Sequence, residues 1–256
     1  MADRKDHYSY SVYADSDTAR CFEQERFGGP IGKYLRRRQE EQLANWLGKQ
    51  EGRSILDVGA GTGRTAVPLA GAGARVSACD ASEAMLEVAR AKAGDAGVEI
   101  TFECCDAMAL PYADRAFDVV LSFRVLLHVI DWRRALAEAC RCSADILVID
   151  FPPRWSLAAL QVPARALASI FKPKTQRFRL FSLRQIKKEL WLRGFEIERV
   201  DRLFFLPIMF HKLFRSPRFT LAIEKLFGWL GLRRLFGAPV TILARRRDSQ
   251  EVETAR

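Results

Sequence analysis

The sequence predicts an α/β protein: a seven-stranded, mostly parallel sheet with helices on both faces, and a helical insertion between strands six and seven. Three observations carry this expectation. From residue 54 to about residue 150, short apolar runs alternate with helix-length amphipathic stretches, the rhythm of βα units. The first run, Ser54–Val58, leads into Gly59-Ala60-Gly61-Thr62-Gly63, where bare backbone can approach a polar ligand. After Gly194, the alternating Phe195–Val200 and the apolar Val240–Ala244 read as two further strands, separated by a long apolar and basic stretch.

Taken in order, residues 1–48 are expected to form an N-terminal lid or helical segment. Within it, Ile31, Leu35, Leu43, Trp46 and Leu47 recur at helical spacing and predict a helix that closes before Gly48. Residues 49–247 read as the main domain. Strand one is Ser54–Val58, followed by a helix from Thr62 to Ala70; strand two, Arg75–Cys79, ends at Asp80. Ser82 caps a helix running to Ala93, with Glu83 in the first turn where negative charge complements the helix dipole. Strand three is Val98–Phe102, strand four Phe117–Ser122 and strand five Ile146–Asp150, with a helix opened by Asp131 and running to Cys142. This predicts five βα units in succession, with a ligand at the carboxyl ends of the strands.

Beyond strand five, residues 151–181 are basic and aromatic and are expected on the substrate side. A helix over Ser182–Leu192 precedes strand six, and the stretch 203–237 is expected to form a hydrophobic cap. Residues 248–256 read as a disordered tail.

The chain has 256 residues, of which 49% are hydrophobic, enough to bury a full core in one main domain. Its net charge of +10 points to an acidic partner: nucleic acid, an anionic membrane surface or an acidic substrate. The basic residues gather at Arg36–Arg38, Arg165–Arg193, Arg215–Arg234 and Arg245–Arg247, and in the later groups they are interleaved with Phe, Leu and Trp, a pattern that fits a membrane surface. No apolar h-region follows the N-terminus and no apolar run is long enough to span a bilayer, so the expected address is cytoplasmic, with peripheral contact at the inner face of the membrane. The six cysteines show no C-x-x-C pair and no histidine cluster at zinc spacing, which predicts reduced structural thiols and no metal.

Several motifs together resemble one family. Leu56-Asp57-Val58-Gly59-Ala60-Gly61-Thr62-Gly63, Asp80 at the end of the next strand, Asp106-Ala107 followed by Leu110-Pro111, Phe117-Asp118-Val119-Val120, and Leu127-His128-Val129-Ile130-Asp131 occur in this order over residues 50–150. The combination resembles the class I S-adenosylmethionine-dependent methyltransferases, in the branch of quinone-biosynthesis and other small-molecule enzymes, and the resemblance implies a Rossmann-like sheet, mostly parallel with its last strand antiparallel.

The resemblance implies S-adenosylmethionine as cofactor and S-adenosylhomocysteine as product. It implies that Gly59, Ala60, Gly61 and Gly63 receive the amino-acid part of the cofactor and that Asp57 orients its ammonium. Asp80, with Ala81 beside it, would take the ribose hydroxyls, and Asp106 with Ala107 would face the adenine amino group. Met85 either covers the adenine or belongs to the core. Ser122 and Phe123 would line the methionine side. His128 either deprotonates the acceptor or ties down its loop. Leu127 departs from the quinone-type pattern, which often has an acid before that histidine.

The acceptor implied is small and hydrophobic (quinone-like, lipid or polyketide-like), methylated on oxygen, carbon or nitrogen. RNA methylation and a non-catalytic cofactor-binding scaffold stay open as alternatives. Against RNA, Ser122-Phe123-Arg124-Val125 stands where base methyltransferases carry an Asn/Asp-Pro-Pro-Tyr/Phe tetrad, and no RNA-binding appendage is recognisable, so nucleic acid is not the expected partner.

Overall fold

The computed structural model describes residues 28–160, 179–214 and 216–247. Residues 1–27 of the expected N-terminal lid or helical segment 1–48, residues 161–178 of the basic segment 151–181, and the expected tail 248–256 lie outside these residues.

Seven strands form one sheet in the order β3-β2-β1-β4-β5-β7-β6, with β1 Ser54–Val58, β2 Arg75–Asp80, β3 Ile100–Cys104, β4 Phe117–Ser122, β5 Ser143–Phe151, β6 Phe195–Phe204 and β7 Ala238–Arg246. The first five strands pair in parallel, and β7 inserts antiparallel between β5 and β6. Strand order reverses between β1 and β4, which opens a crevice at their carboxyl ends. The helices are α1 Gly29–Leu47, α2 Ala66–Gly71, α3 Glu83–Asp95, α4 Trp132–Cys142, α5 Leu183–Leu192, α6 Ile208–Phe214, α7 Pro217–Trp229 and α8 Leu232–Phe236.

The alternation along each strand builds two cores. Leu56, Val58, Val120, Leu147 and Ile149 face α4 and α5, where Leu136, Ala139, Ile186 and Leu190 meet them. Ile55, Val119, Leu121 and Val148 face the other way, onto Leu43 and Leu47 of α1 and Leu69 of α2. Two of these helices start at caps expected from the sequence, the Ser82 hydroxyl accepting from Met85 N–H and the Asp131 carboxylate from Arg133 and Arg134 N–H, while Ser182, expected inside its helix, caps it by accepting from Gln185 N–H.

Three expectations change. The first glycine-loop helix starts at Ala66 rather than Thr62, because the glycine turn continues through Thr65. β3 lies two residues later than the apolar pattern of Val98–Phe102 suggests. No helix joins β3 to β4, so there are not five successive βα units. The Cys105–Ala116 connection is a loop clamped by side chains of α4: Glu138 accepts from Leu110 N–H at 2.9 Å, while the Arg141 guanidinium donates to the Tyr112 and Leu110 carbonyls at 2.6 and 3.0 Å.

β6 and β7 are each longer than their most apolar stretches. β6 runs four residues past Val200, through Asp201-Arg202-Leu203-Phe204 with Phe204 buried, and its pairing with β7 extends from Phe195–Arg246 to Phe204–Ala238. The insertion therefore springs from the carboxyl end of β6, at the same edge of the sheet as the crevice.

Candidate functional site

Each glycine of the first loop has its own local cause. Gly59 takes a left-handed φ of 71°, and a Cβ there would stand 2.1 Å from Val125 Cγ2, so the loop after β4 presses directly on it. Gly63 packs under α3, where a Cβ would lie 3.1 Å from that of Ala89. Gly61, with φ 56°, has no protein atom within 4 Å of the position a Cβ would take. Of the three glycines, Gly61 is thus the one that opens a cradle rather than accommodating a neighbour.

Asp80 connects this loop to the next. One carboxylate oxygen accepts from Gly61 N–H at 2.9 Å and the other from Ser82 N–H at 2.9 Å, while Gly59 and Ala60 N–H donate to the Cys79 carbonyl. Each carboxylate oxygen keeps further acceptor capacity. Burial pushes the Asp80 carboxyl up from its ordinary value, against the pull of the Ser82 and Gly61 N–H groups.

Asp57 lies at the end of β1 and is 2% exposed, with Oδ2 lacking any hydrogen-bond partner. Burial raises its pKa to about 7, opposed by the nearby Arg64 cation and the Ala66 N–H and reinforced by the Asp80 charge. A buried carboxylate with an orphaned oxygen beside an open glycine cradle suits an alkylammonium ligand, and Asp80 retains the acceptor capacity that a ribose needs. The residues present therefore fit the amino-acid and ribose parts of S-adenosylmethionine.

The other expected positions divide. Asp106 Oδ1 accepts from Met108 N–H at 2.8 Å, so this carboxylate caps its own turn just after β3, and Ala107 packs against the core. Met85 is 2% exposed on the inner side of α3. Ala81 lies between Asp80 and the Ser82 cap. Ser122 and Phe123 are buried at the end of β4, with Phe123 packed into the core that α1 and α2 share. His128 sits half-buried in a turn closed by its N–H donating to the Val125 carbonyl, and through Val125 this turn touches Gly59.

Sequence reasoning missed a second buried acid. Asp150 ends β5 at this same edge, accepts from Arg124 N–H, and is pushed up by burial against the charges of Arg124 and Arg64. Arg124 holds a left-handed φ of 60°, rare for a side chain other than glycine, directly after β4. The acid closing the apolar Ile146–Ile149 run was the available signal; the backbone conformation of Arg124 left none. Among the described residues, no group of three or more His, Cys, Asp or Glu could hold a metal ion.

Helices α6 to α8 form the cap at the β6 end of the edge. Glu224 is its internal tie, accepting from Phe205 N–H, Leu206 N–H and His211 Nε2 at 2.8, 3.0 and 2.9 Å. His211 is fully buried against Phe204, and Phe204 stacks on Tyr34 of α1.

Residues 55–145 match a family model described as a methyltransferase domain. Methyltransferase GfsG of Streptomyces halstedii is 38% identical over 107 residues, 41% of this chain and 38% of that protein. The ubiquinone biosynthesis O-methyltransferase of Sinorhizobium medicae is 32% identical over 163 residues, 62% of this chain and 66% of that protein. The chain thus matches less than two thirds of the length of either relative. Magnesium protoporphyrin IX methyltransferase of Synechocystis, solved with bound S-adenosylhomocysteine, superposes with a TM-score of 0.66 at 20% identity over 93% of this chain and 99% of that one, which shows a shared fold.

Proposed function

Because the chain belongs to the class I S-adenosylmethionine-dependent methyltransferases, we propose that it transfers a methyl group from S-adenosylmethionine to a small acceptor with an apolar body. The observation that carries the reading is the buried, unpartnered Asp57 Oδ2 beside the open face of Gly61, which together call for a cationic ligand at the mouth of β1. Apolar acceptors are favoured by the cap, whose helices bring Phe, Leu and Ile side chains to the carboxyl edge of the sheet. The relatives' names, a ubiquinone-biosynthesis enzyme among them, support the same substrate class.

When bound, S-adenosylmethionine supplies a methyl group already attached to a sulfonium leaving group, so the protein's work is mainly positioning. Asp57 and the Gly61 cradle would hold the amino-acid part, and the free acceptor capacity of Asp80 would take the ribose hydroxyls. Asp106 would complete the adenine end beside the turn it caps. Ser122 and Phe123 would wall the methionine side. His128 would accept a proton from an acceptor hydroxyl, and the cap would exclude water from that exchange. RNA methylation has no observation of its own in its favour.

Isothermal titration with S-adenosylmethionine and S-adenosylhomocysteine tests the cofactor half, and transfer of a tritiated methyl into quinone-like, lipid and polyketide-like phenols tests the acceptor half. No micromolar binding of either nucleoside would overturn the assignment. Binding with methyl transfer into RNA but into no small acceptor would overturn the substrate class.

A further inference from the structure

Helix α7 carries apolar residues on both faces, with Ile223 and Phe227 half-buried on the inner one. Its two buried positions are polar, Thr220 and Glu224, whereas Arg218, Leu221, Ala222, Lys225, Leu226 and Trp229 are exposed at the i, i+3, i+4, i+7, i+8, i+11 spacing of one helical face. Trp229 is 82% exposed. The flanking helices continue this surface with exposed Leu213 on α6 and Leu235 and Phe236 on α8. A contiguous apolar surface of this kind on a protein marks an interaction site.

The charges on this surface identify the partner. Arg218, Lys225, Arg233 and Arg234 have no acidic partner among the described residues, and the one acid between Leu203 and Gly237, Glu224, is buried in the cap's internal tie. Basic side chains elsewhere are engaged within the fold, some of them by acids. Arg37 pairs with Glu41 at 2.8 Å, Arg245 pairs with both Asp145 and Glu198, Arg246 donates to the Cys140 and Ser143 carbonyls, and Arg247 lies over the Trp191 ring. A second copy of the chain docking face to face would bring these cations against themselves with no acid between them.

We infer that the outward face of α7, with α8 beside it, docks on an anionic lipid surface. Its Leu and Trp side chains enter the headgroup boundary, and Arg218, Lys225 and Arg234 meet lipid phosphates. Amphipathic helices that lie in the membrane plane combine the same two ingredients. No helix of the described residues is long and apolar enough to cross a membrane, so the contact is peripheral. Because the cap springs from the carboxyl edge of the sheet, docking would turn that edge toward the lipid. The inference does not depend on methyl transfer and is tested without it.

The test is co-sedimentation of the full chain with vesicles of phosphatidylcholine alone and of phosphatidylcholine mixed with phosphatidylglycerol. The expected result is sedimentation with the anionic vesicles, weakened by salt, together with a blue shift in tryptophan fluorescence. Leu221→Glu/Leu226→Glu/Trp229→Glu should abolish it. Arg218→Gln/Lys225→Gln, which leaves the apolar face intact, should weaken it about fivefold per charge removed. Retained S-adenosylhomocysteine binding and circular dichroism would show that the variants fold. No sedimentation of the parent chain, or sedimentation unchanged in the triple variant, would overturn the inference. So would a concentration-dependent dimer that the triple variant breaks while vesicles have no effect.

Discussion

Along β1 and β2 the edge of the sheet is shaped by backbone and buried carboxylates, whereas beyond β5 it is shaped by large side chains carried on helices. The first region tolerates few residue types. Gly59 is pressed by Val125, Gly61 must leave space open, and Asp57 and Asp80 are held by particular N–H groups. The second region is a mass of Phe and Leu tied at one point by Glu224, and many apolar sequences could fill the same volume. The contrast teaches that the methyl-donor half of a site leaves a sharper imprint on sequence than the acceptor half.

The strongest way to break that contrast is Gly59→Ala. The left-handed φ and the approach to Val125 add backbone strain to overpacking, and together these should cost roughly 2–5 kcal/mol in thermal or urea unfolding. Gly61→Ala, in open space, should cost only about 1 kcal/mol of stability while sharply reducing S-adenosylhomocysteine binding. Equal stability losses at the two positions would mean that Gly61 is packed like its neighbour and forms no cradle.

Asp57 sharpens the contrast through pH. Its folded pKa of about 7 lies above the ordinary 3.8, so the folded state binds the extra proton between those values. The associated stability is fully present below about pH 4 and is lost as pH rises through about 7. Asp57→Asn should flatten that slope and stabilise the ligand-free chain by roughly 2–4 kcal/mol at pH 8. Affinity for S-adenosylhomocysteine in the parent chain should rise over the same interval, because the ligand's ammonium seeks the ionised carboxylate. Calorimetry at pH 6 and pH 8 checks both; a flat profile in the parent chain would place the titrating charge elsewhere.

Asp80→Ala is expected to weaken S-adenosylmethionine or S-adenosylhomocysteine binding by ~1.5–3 kcal/mol, the range for lost charged hydrogen bonds. Part of this loss would come through the loop, since Gly61 and Ser82 N–H both lose their acceptor. Asp80→Asn keeps an acceptor toward one of those donors and should recover part of it. Titration calorimetry measures both variants.

The legibility of each half follows from these costs. β1 and β4 were read to the residue because each is a short, mostly apolar run, Ile55 to Val58 and Phe117 to Leu121, closed by the glycine turn or by Ser122. The caps Ser82 and Asp131 were read because a side-chain oxygen at the start of a helix has a local job. The β3–β4 connection was counted among five βα units although no helix signal stands between Cys105 and Ala116, and what holds it as a loop is Arg141, some thirty residues away in sequence; the end of β6 was missed because Glu198-Arg199-Val200-Asp201-Arg202 does not alternate cleanly at the sheet edge. The cap was visible as an insertion, but which face of α7 turns outward depends on Thr220 and Glu224 being its buried positions, and only the packing decides that.

Asp118 provides the smallest test. Leu56-Asp57-Val58 and Phe117-Asp118-Val119 look alike in sequence, and Asp118 belongs to the motif set that identifies the cofactor family, yet the two acids sit at opposite ends of adjacent parallel strands. Asp118 is exposed and accepts from Ser54 N–H at 2.8 Å and from the Ser54 hydroxyl at 2.7 Å, tying the start of β4 to the start of β1. The Ser54 N–H first and its hydroxyl second hold the carboxyl below its ordinary pKa. A depressed folded value adds stability above the unfolded pKa, and that stability disappears as pH falls through the folded one. Asp118→Ala should therefore cost about 1 kcal/mol at neutral pH, discounted for exposure, and remove the corresponding loss of stability on the acid limb below about pH 4. Binding of S-adenosylhomocysteine should not change. A weakening of tenfold or more would show that the amino ends of β1 and β4 control the crevice at their far ends, and the two regions would no longer be separable.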